Sequence, residues 1–324
     1  MDITIQKILD KALQEESLSR EEVITLLSLD SATEAVEPLF QAGREAARRF
    51  SNNQGRVWAA IGVDYQPCPM NCRFCSFGEA WGLIKSRMEW SPERIEAQAV
   101  EFADQGAHWI TLRTTEDYSI DRLVDLCRRV IRATQGRVEM VANTGELTIP
   151  QAGQLKAAGF TSVYHSCRIR EGIDTILSVE TRLSTMKTVH ESGLKLAHLV
   201  EPIGVEHRPE EIADCLLQAL AYGASLTGAM ARVPVIGTPL ADSGPLPERE
   251  LAKVIAVTRL ASGPRASDIC VHPPTRSGVM AGANTVVVET GAVPREMEKA
   301  VSEWRAFTIP DAKALLAEAG YDLL

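Results

Sequence analysis

The chain of 324 residues has no continuous apolar run of the ~18–20 residues that a membrane-crossing helix requires, and its opening segment, Met1–Asp10, is mixed and polar. A soluble, cytoplasmic protein is the expectation, with no membrane partner. Positive charge is also in short supply: 34 lysines and arginines against 43 aspartates and glutamates leave a formal net charge of -9. That balance offers no basic footprint for nucleic acid and no like-charged tail. No internal repeat or low-complexity linker divides the chain. No Gly-x-Gly-x-x-Gly follows its first apolar run, which removes the main sequence support for an open dinucleotide-binding sheet. A disulfide framework is missing as well. The seven cysteines are odd in number, with three packed into eight residues and the others scattered at Cys127, Cys167, Cys215 and Cys270. Metal-binding or catalytic cysteines in a reducing compartment fit this pattern better.

What is present is enough apolar material, 45% of residues, to bury a full core. Helical spacing marks Ile3–Gln14, Ser19–Ser28 and Ala32–Arg49, a helical extension that we bound at residues 1–54. From there strand and helix alternate. Val57–Val63 is the first apolar run of buried-strand type, and Ser91-Pro92-Glu93 opens a helix with a good N-cap and an N1 proline. Further strands are expected at His108–Leu112, Val138–Ala142, Thr161–His165, Lys195–Val200, Leu226–Val233, Asp268–Val271 and Thr285–Glu289. Helices lie between them, glycines at 159 and 193 stand where C-caps belong, and Pro310–Leu324 reads as a closing helix. Eight strand and helix pairs in roughly 235 residues suit one closed parallel barrel, a (βα)8 domain over residues 55–324. In such a barrel chemistry resides on the loops that follow the strands.

Cys68-Pro69-Met70-Asn71-Cys72-Arg73-Phe74-Cys75 follows the first strand directly. Three thiolates on one short loop can hold three irons of a 4Fe-4S cubane and leave the fourth iron open to a cofactor. A structural zinc site is the physical competitor, but it would want a fourth cysteine or histidine, and the next thirty residues hold neither. Plain packing of three cysteines suits so polar a loop poorly.

This spacing, with an aromatic before the last cysteine, resembles the Cys-x3-Cys-x-aromatic-Cys signature of the radical S-adenosylmethionine (SAM) enzymes. Gly237-Thr238-Pro239-Leu240-Ala241-Asp242 and Met280-Ala281-Gly282-Ala283-Asn284 are similar to the biotin-synthase-like branch, and the resemblance covers about residues 55–290. It implies a biotin and thiamin synthesis associated region in the last third. It also implies a 4Fe-4S cluster on Cys68, Cys72 and Cys75, SAM as cofactor, a small-molecule substrate, and an electron donor such as flavodoxin or ferredoxin. The resemblance assigns Phe74, Glu116, Ser166, Arg168 and Arg182 to cofactor binding. The family's Gly-Gly-Glu has its counterpart in Arg113-Thr114-Thr115-Glu116-Asp117, and Arg182 corresponds to an arginine that pairs with the cofactor carboxylate.

Within the branch, biotin synthase holds a second cluster on three cysteines and an arginine. Here those positions read approximately Thr111, Val141, Ala197 and Cys270, so that cluster cannot be assembled. Val200-Glu201-Pro202-Ile203-Gly204, Glu206-His207 and Arg232-Val233-Pro234 are similar to members without it, methylornithine synthase and the hydrogenase-cofactor maturases. On that resemblance Asp117, Arg232 and Asp268 are candidate substrate contacts. Cys167 and Cys270, at the ends of the fourth and seventh strands, could face the lumen as substrate or auxiliary-cluster residues, or simply pack. The expected reaction is hydrogen abstraction from a small substrate, by rearrangement or fragmentation, in the biosynthesis of a cofactor or unusual amino acid. Sulfur insertion of the biotin or lipoyl type is the alternative; a non-catalytic metal-binding scaffold is the alternative of another class.

Overall fold

The computed structural model describes residues 3–292 and 307–323. Helices α1 (Ile3–Leu13), α2 (Arg20–Leu27) and α3 (Glu37–Phe50) come first. At the start of α2 the Ser19 hydroxyl accepts from the Glu22 amide and the Glu22 carboxylate accepts from the Ser19 amide, a reciprocal capping box. The expected helix over 32–49 is corrected at its start, where a 3-10 turn at Glu34–Val36 precedes α3. Pro38 lacks an amide proton, so it is tolerated only in a helix's first turn, and the α-helix begins there.

The alternation follows. β1 (Gln54–Gly62) leads to the small antiparallel pair β2 (Asp64–Tyr65) and β3 (Met88–Glu89), then α4 (Pro92–Asp104), β4 (Trp109–Arg113), α5 (Ile120–Thr134), β5 (Glu139–Asn143) and α6 (Ile149–Ala158). Next come β6 (Phe160–Tyr164), α7 (Val179–Ser192), β7 (Lys195–Ala197), β8 (Val200–Ile203), α8 (Pro209–Ala221) and β9 (Ala224–Ala231). The chain ends through α9 (Glu248–Ser262), β10 (Asp268–His272), α10 (Arg276–Met280), β11 (Thr285–Gly291), α11 (Ile309–Glu318) and β12 (Asp322–Leu323). All pairings around the ring are parallel. β1 lies between β4 and β11, and β9 pairs with both β7 and β10, so the sheet closes into an eight-stave barrel.

Several strand ends move by one to three residues from expectation, and two elements differ in kind. The fifth stave is two segments, β7 and β8, because the register against β9 shifts in each and His198-Leu199 drops out of the strand between them. The closing helix ends early: Gly320 adopts φ +84°, which stops α11, and β12 then pairs with Gln54 and Gly55.

Alternation along each stave sorts side chains into two cores. Outward-facing Val57, Ala59, Ile61, Ile110, Leu112 and Val163 pack against the helices, and full burial of an aliphatic side chain of Val or Ile size contributes about 1.5–3 kcal/mol. Inward-facing Trp58, Trp109, Val141, Ala197, Leu199, Leu226 and Cys270 form a separate apolar plug in the lumen. Every residue of α9 from Leu251 to Ser262 is buried, since α2 and α3 cover the side turned away from the barrel. Gly43 on α3 permits that approach: a Cβ there would stand 2.3 Å from the Ala281 carbonyl oxygen. Among the described residues no helix is long and apolar enough to cross a membrane.

Candidate active site

β1 ends at the barrel mouth, and the cysteine loop begins within a few residues of it. Asp64 ties its entry to the loop after β4, accepting from the Thr115 amide at 2.8 Å and the Thr115 hydroxyl at 2.5 Å. The Cys68 amide donates to the Phe77 carbonyl at 2.7 Å, the Cys75 amide to that of Cys72 at 2.9 Å, and the Asn71 side chain accepts from the Ala80 amide at 2.9 Å. Asn71 takes φ +45°, a conformation that asparagine tolerates better than most residues. Two further loops hold the segment across the mouth. The Arg73 amide donates to the Asp174 carbonyl at 2.9 Å while the two side chains pair at 3.0 Å, and the Leu240 amide donates to the Arg73 carbonyl at 3.2 Å.

Beneath the loop lies a cavity of about 320 Å³. Cys68, Cys72, Cys75 and Phe74 line it from above, and the strand ends supply Trp58, Thr111, Arg113, Asn143, Tyr164, Glu201, Arg232, His272 and Glu289. Burial pushes the Cys68 thiol up to about 11 and the Cys72 thiol to about 12, so both carry protons at neutral pH until a metal displaces them. Among the described residues no three histidine, cysteine, aspartate or glutamate side chains converge tightly enough to hold a single metal ion.

The cavity wall is an ion-pair network. Arg168 Nε lies 3.3 Å from Glu201, whose other oxygen accepts a short hydrogen bond from the Tyr164 hydroxyl. Arg182, 4% exposed, donates to Glu146 at 2.7 Å and has its Nε 3.5 Å from Glu171. Glu171 also accepts from the Arg168 amide at 2.9 Å and from the Thr175 hydroxyl. Burial raises the carboxyls of Glu146 and Glu201. It holds His165 well below the usual histidine range, with Arg182 and Arg168 acting in the same sense, so that ring stays neutral. Arg232 is gripped by both oxygens of Glu206, and those hydrogen bonds hold the Glu206 carboxyl down at about 2. Yet Arg168 Nη1, Arg182 Nε and Arg232 Nε make no hydrogen bond. Buried donors without acceptors suit a wall that meets an anionic ligand. Three thiols facing this donor set are a chemically fitting host for an iron–sulfur cluster with a carboxylate-bearing cofactor.

Of the residues expected at the site, the cavity brings together Cys68, Cys72, Phe74, Cys75, Glu116, Ser166, Arg168, Arg182 and Arg232. Four lie elsewhere. Asp117 is exposed and outside the lining, one residue past Glu116 on a loop that has already turned to solvent. Asp268 does face inward, but from the first residue of β10, so it lies at the barrel's base, paired with Arg56 at 3.1 Å and accepting from Asn284 at 2.9 Å. Cys167 is buried in the outer core, where its carbonyl accepts from the Cys215 thiol. Cys270 is fully buried in the lumen plug beneath the cavity. Sequence reasoning missed Asn143 in the lining, the pairing of Tyr164 with Glu201, and Glu146 behind the wall as a partner of Arg182. Their partners lie on different staves, and only the fact that each falls at or just past a strand end could have hinted at them.

The Radical SAM superfamily profile matches residues 65–218. Biotin synthase from Akkermansia muciniphila is 26% identical over 98% of this chain and 97% of its own length. Biotin synthase from Streptomyces coelicolor is 25% identical over 80% of this chain, and the match spans 65% of that protein, slightly under two thirds. Among solved structures, that of HydG, a maturase of the FeFe-hydrogenase, superposes with a TM-score of 0.83 at 17% identity, over 99% of this chain and 76% of the other. Methylornithine synthase (PylB) gives 0.80 at 19% identity, over 98% and 97%. These likenesses agree on the fold. The radical SAM match over residues 65–218 and the biotin synthase relatives support a radical SAM enzyme similar to the biotin-synthase-like branch, which weighs against the scaffold alternative. The family implies a 4Fe-4S cluster and SAM.

Proposed function

We propose that Cys68, Cys72 and Cys75 hold a single 4Fe-4S cluster and that the enzyme abstracts hydrogen from a small substrate, by rearrangement or fragmentation, in the biosynthesis of a cofactor or unusual amino acid. When bound, the cluster and SAM supply reductive cleavage to methionine and a 5′-deoxyadenosyl radical that takes the substrate hydrogen. The chain's residues do the rest. Phe74 and Glu116 bound the cofactor site beside the cysteines, and Ser166, Arg168 and Arg182 offer it hydroxyl and guanidinium donors. Glu146 and Glu171 fix the orientation of Arg182. Arg232, steadied by Glu206, is the proposed substrate contact; Asp117 and Asp268 are not, given their positions. Placement in the barrel lumen limits the access of water to a radical that would otherwise be quenched. A cytoplasmic setting, with flavodoxin or ferredoxin as electron donor, suits free thiols and a reducible cluster.

The observation that carries this reading is the lumen floor. At and below the cavity floor, Trp58, Trp109, Val141, Ala197, Leu199 and Leu226 pack with Cys270 as the only thiol among them, an apolar plug without the ligand set that the second cluster of a sulfur-inserting enzyme needs. Anaerobic reconstitution, then iron and sulfide analysis and an assay for 5′-deoxyadenosine after dithionite reduction, tests it. About four irons per chain with 5′-deoxyadenosine formed is the expected result; about six to eight irons would favour sulfur insertion instead.

A further inference from the structure

Aromatic residues make up only 5% of the chain, with five tryptophans and five tyrosines in all. Two of those tryptophans and one tyrosine lie inside the barrel. Tyr164, at the end of β6, lines the cavity, and its hydroxyl is hydrogen-bonded to Glu201. Its ring meets Trp58 edge-on, with centroids 5.7 Å apart. Trp58 also reaches the cavity and donates from Nε1 to the Thr111 hydroxyl at 2.6 Å. It stands in register with Trp109 on the neighbouring stave, and both belong to the lumen plug. At the base, the Arg56 guanidinium covers Trp109 at 5.4 Å, with its side chain 31% exposed. Filling the lumen requires only apolar volume, which leucine supplies without oxidisable rings. A tyrosine in ring contact with one tryptophan, with a second tryptophan in register on the neighbouring stave, beside a cavity proposed to generate a radical, has a further use.

We propose that Tyr164, backed by Trp58 and Trp109, is a radical sink that disarms the enzyme when radical forms without substrate. The inference rests on the radical chemistry proposed above. An alkyl radical in the cavity takes the phenolic hydrogen atom of Tyr164: a C–H bond forms and the weaker O–H bond breaks. The phenoxyl radical left behind takes one electron, relayed through Trp58 and Trp109 from a one-electron reductant at the barrel's base, and one proton through Glu201. The tyrosine is restored, with one reducing equivalent consumed.

Two measurements test this. In the metal-free full chain, pulse radiolysis with azide radicals oxidises tryptophan, and transient absorption follows transfer of the oxidation to tyrosine. Tyr164→Phe and Trp58→Phe should each lower the tyrosyl yield by about half, because the edge contact is lost as a route. Unchanged yields in both variants overturn the relay. The reconstituted enzyme is then given SAM and dithionite in deuterium oxide without substrate. The wild type should place about one solvent-derived deuterium on the 5′ carbon of each 5′-deoxyadenosine, and Tyr164→Phe should cut that label roughly fivefold while 5′-deoxyadenosine still forms. Unlabelled product from the wild type, or undiminished label from the variant, overturns the sink alone. Failure of the wild type to form any 5′-deoxyadenosine would overturn the underlying catalytic reading, and the sink with it.

Discussion

Cys68, Cys72 and Cys75 share one loop by sequence alone, but their orientation toward a common cavity depends on Asp64, Asp174 and the loop around Leu240. Each thiol is therefore expected to be indispensable. Cys68→Ala, Cys72→Ala or Cys75→Ala should lose most of the roughly four irons and all 5′-deoxyadenosine formation, as read by iron analysis and the cluster's visible absorption. The mouth also carries a pH signature. Hydrogen bonds from Arg232 hold Glu206 down at about 2, and those from Arg170 hold Glu211 at about 2. A carboxyl depressed on folding contributes stability that is fully present above its unfolded value, near about 4.3, and is lost as pH falls from there through about 2. Glu206→Gln and Glu211→Gln should each flatten the decline of the urea midpoint across that acid window; a decline as steep as in the wild type would contradict the ion-pair assignment. The cavity lining was partly legible at this scale. Arg168 and Arg182, expected from the resemblance, do line it, whereas Glu146 was missed because its partner Arg182 is distant in sequence. Asp268 was misjudged for a simpler reason: alternation along a strand tells which face a side chain takes, not how far down the barrel it stands.

Among the elements, the joint between β9 and β10 is the most constrained. Gly228 pairs with Cys270 across it and takes φ +154°, and a Cβ there would fall 2.0 Å from the Cys270 carbonyl oxygen. Backbone cannot yield as a flexible side chain does, so Gly228→Ala should open this seam, lowering the melting temperature by about 10 °C or more if the cost reaches several kcal/mol. At the other extreme, Ser19→Ala removes one arm of the α2 capping box and should cost about 1 kcal/mol in chemical denaturation, without effect on the site. Most elements were legible because their signals are local: the N-cap at Ser91, and the left-handed glycines 159 and 193 that end helices. The exceptions were set by pairing. β12 exists because β1 offers an open edge at Gln54 and Gly55, and the break between β7 and β8 answers to the register of β9.

For the whole molecule, residues 1–54 read from sequence as an extension and 55–324 as a barrel domain. We propose that the two do not separate. α9 is buried from Leu251 to Ser262 because α2 and α3 cover it, and β1 already begins at Gln54. Removing residues 1–50 should expose that apolar helix and yield an aggregating or molten protein, seen as lost near-ultraviolet dichroism and broadened elution. The sequence by itself determined the alternation of strand and helix, the closed barrel it implies, and the three-cysteine loop. Each of these is written in spacing between near neighbours. Only the tertiary structure decided which polar residues share the mouth, that Asp268 lies at the base and Cys167 in the outer core, and that an aromatic plug fills the lumen where a second cluster would need ligands. Those outcomes depend on stagger between staves and on height along the barrel axis, which are properties of closure that short-range patterns do not carry.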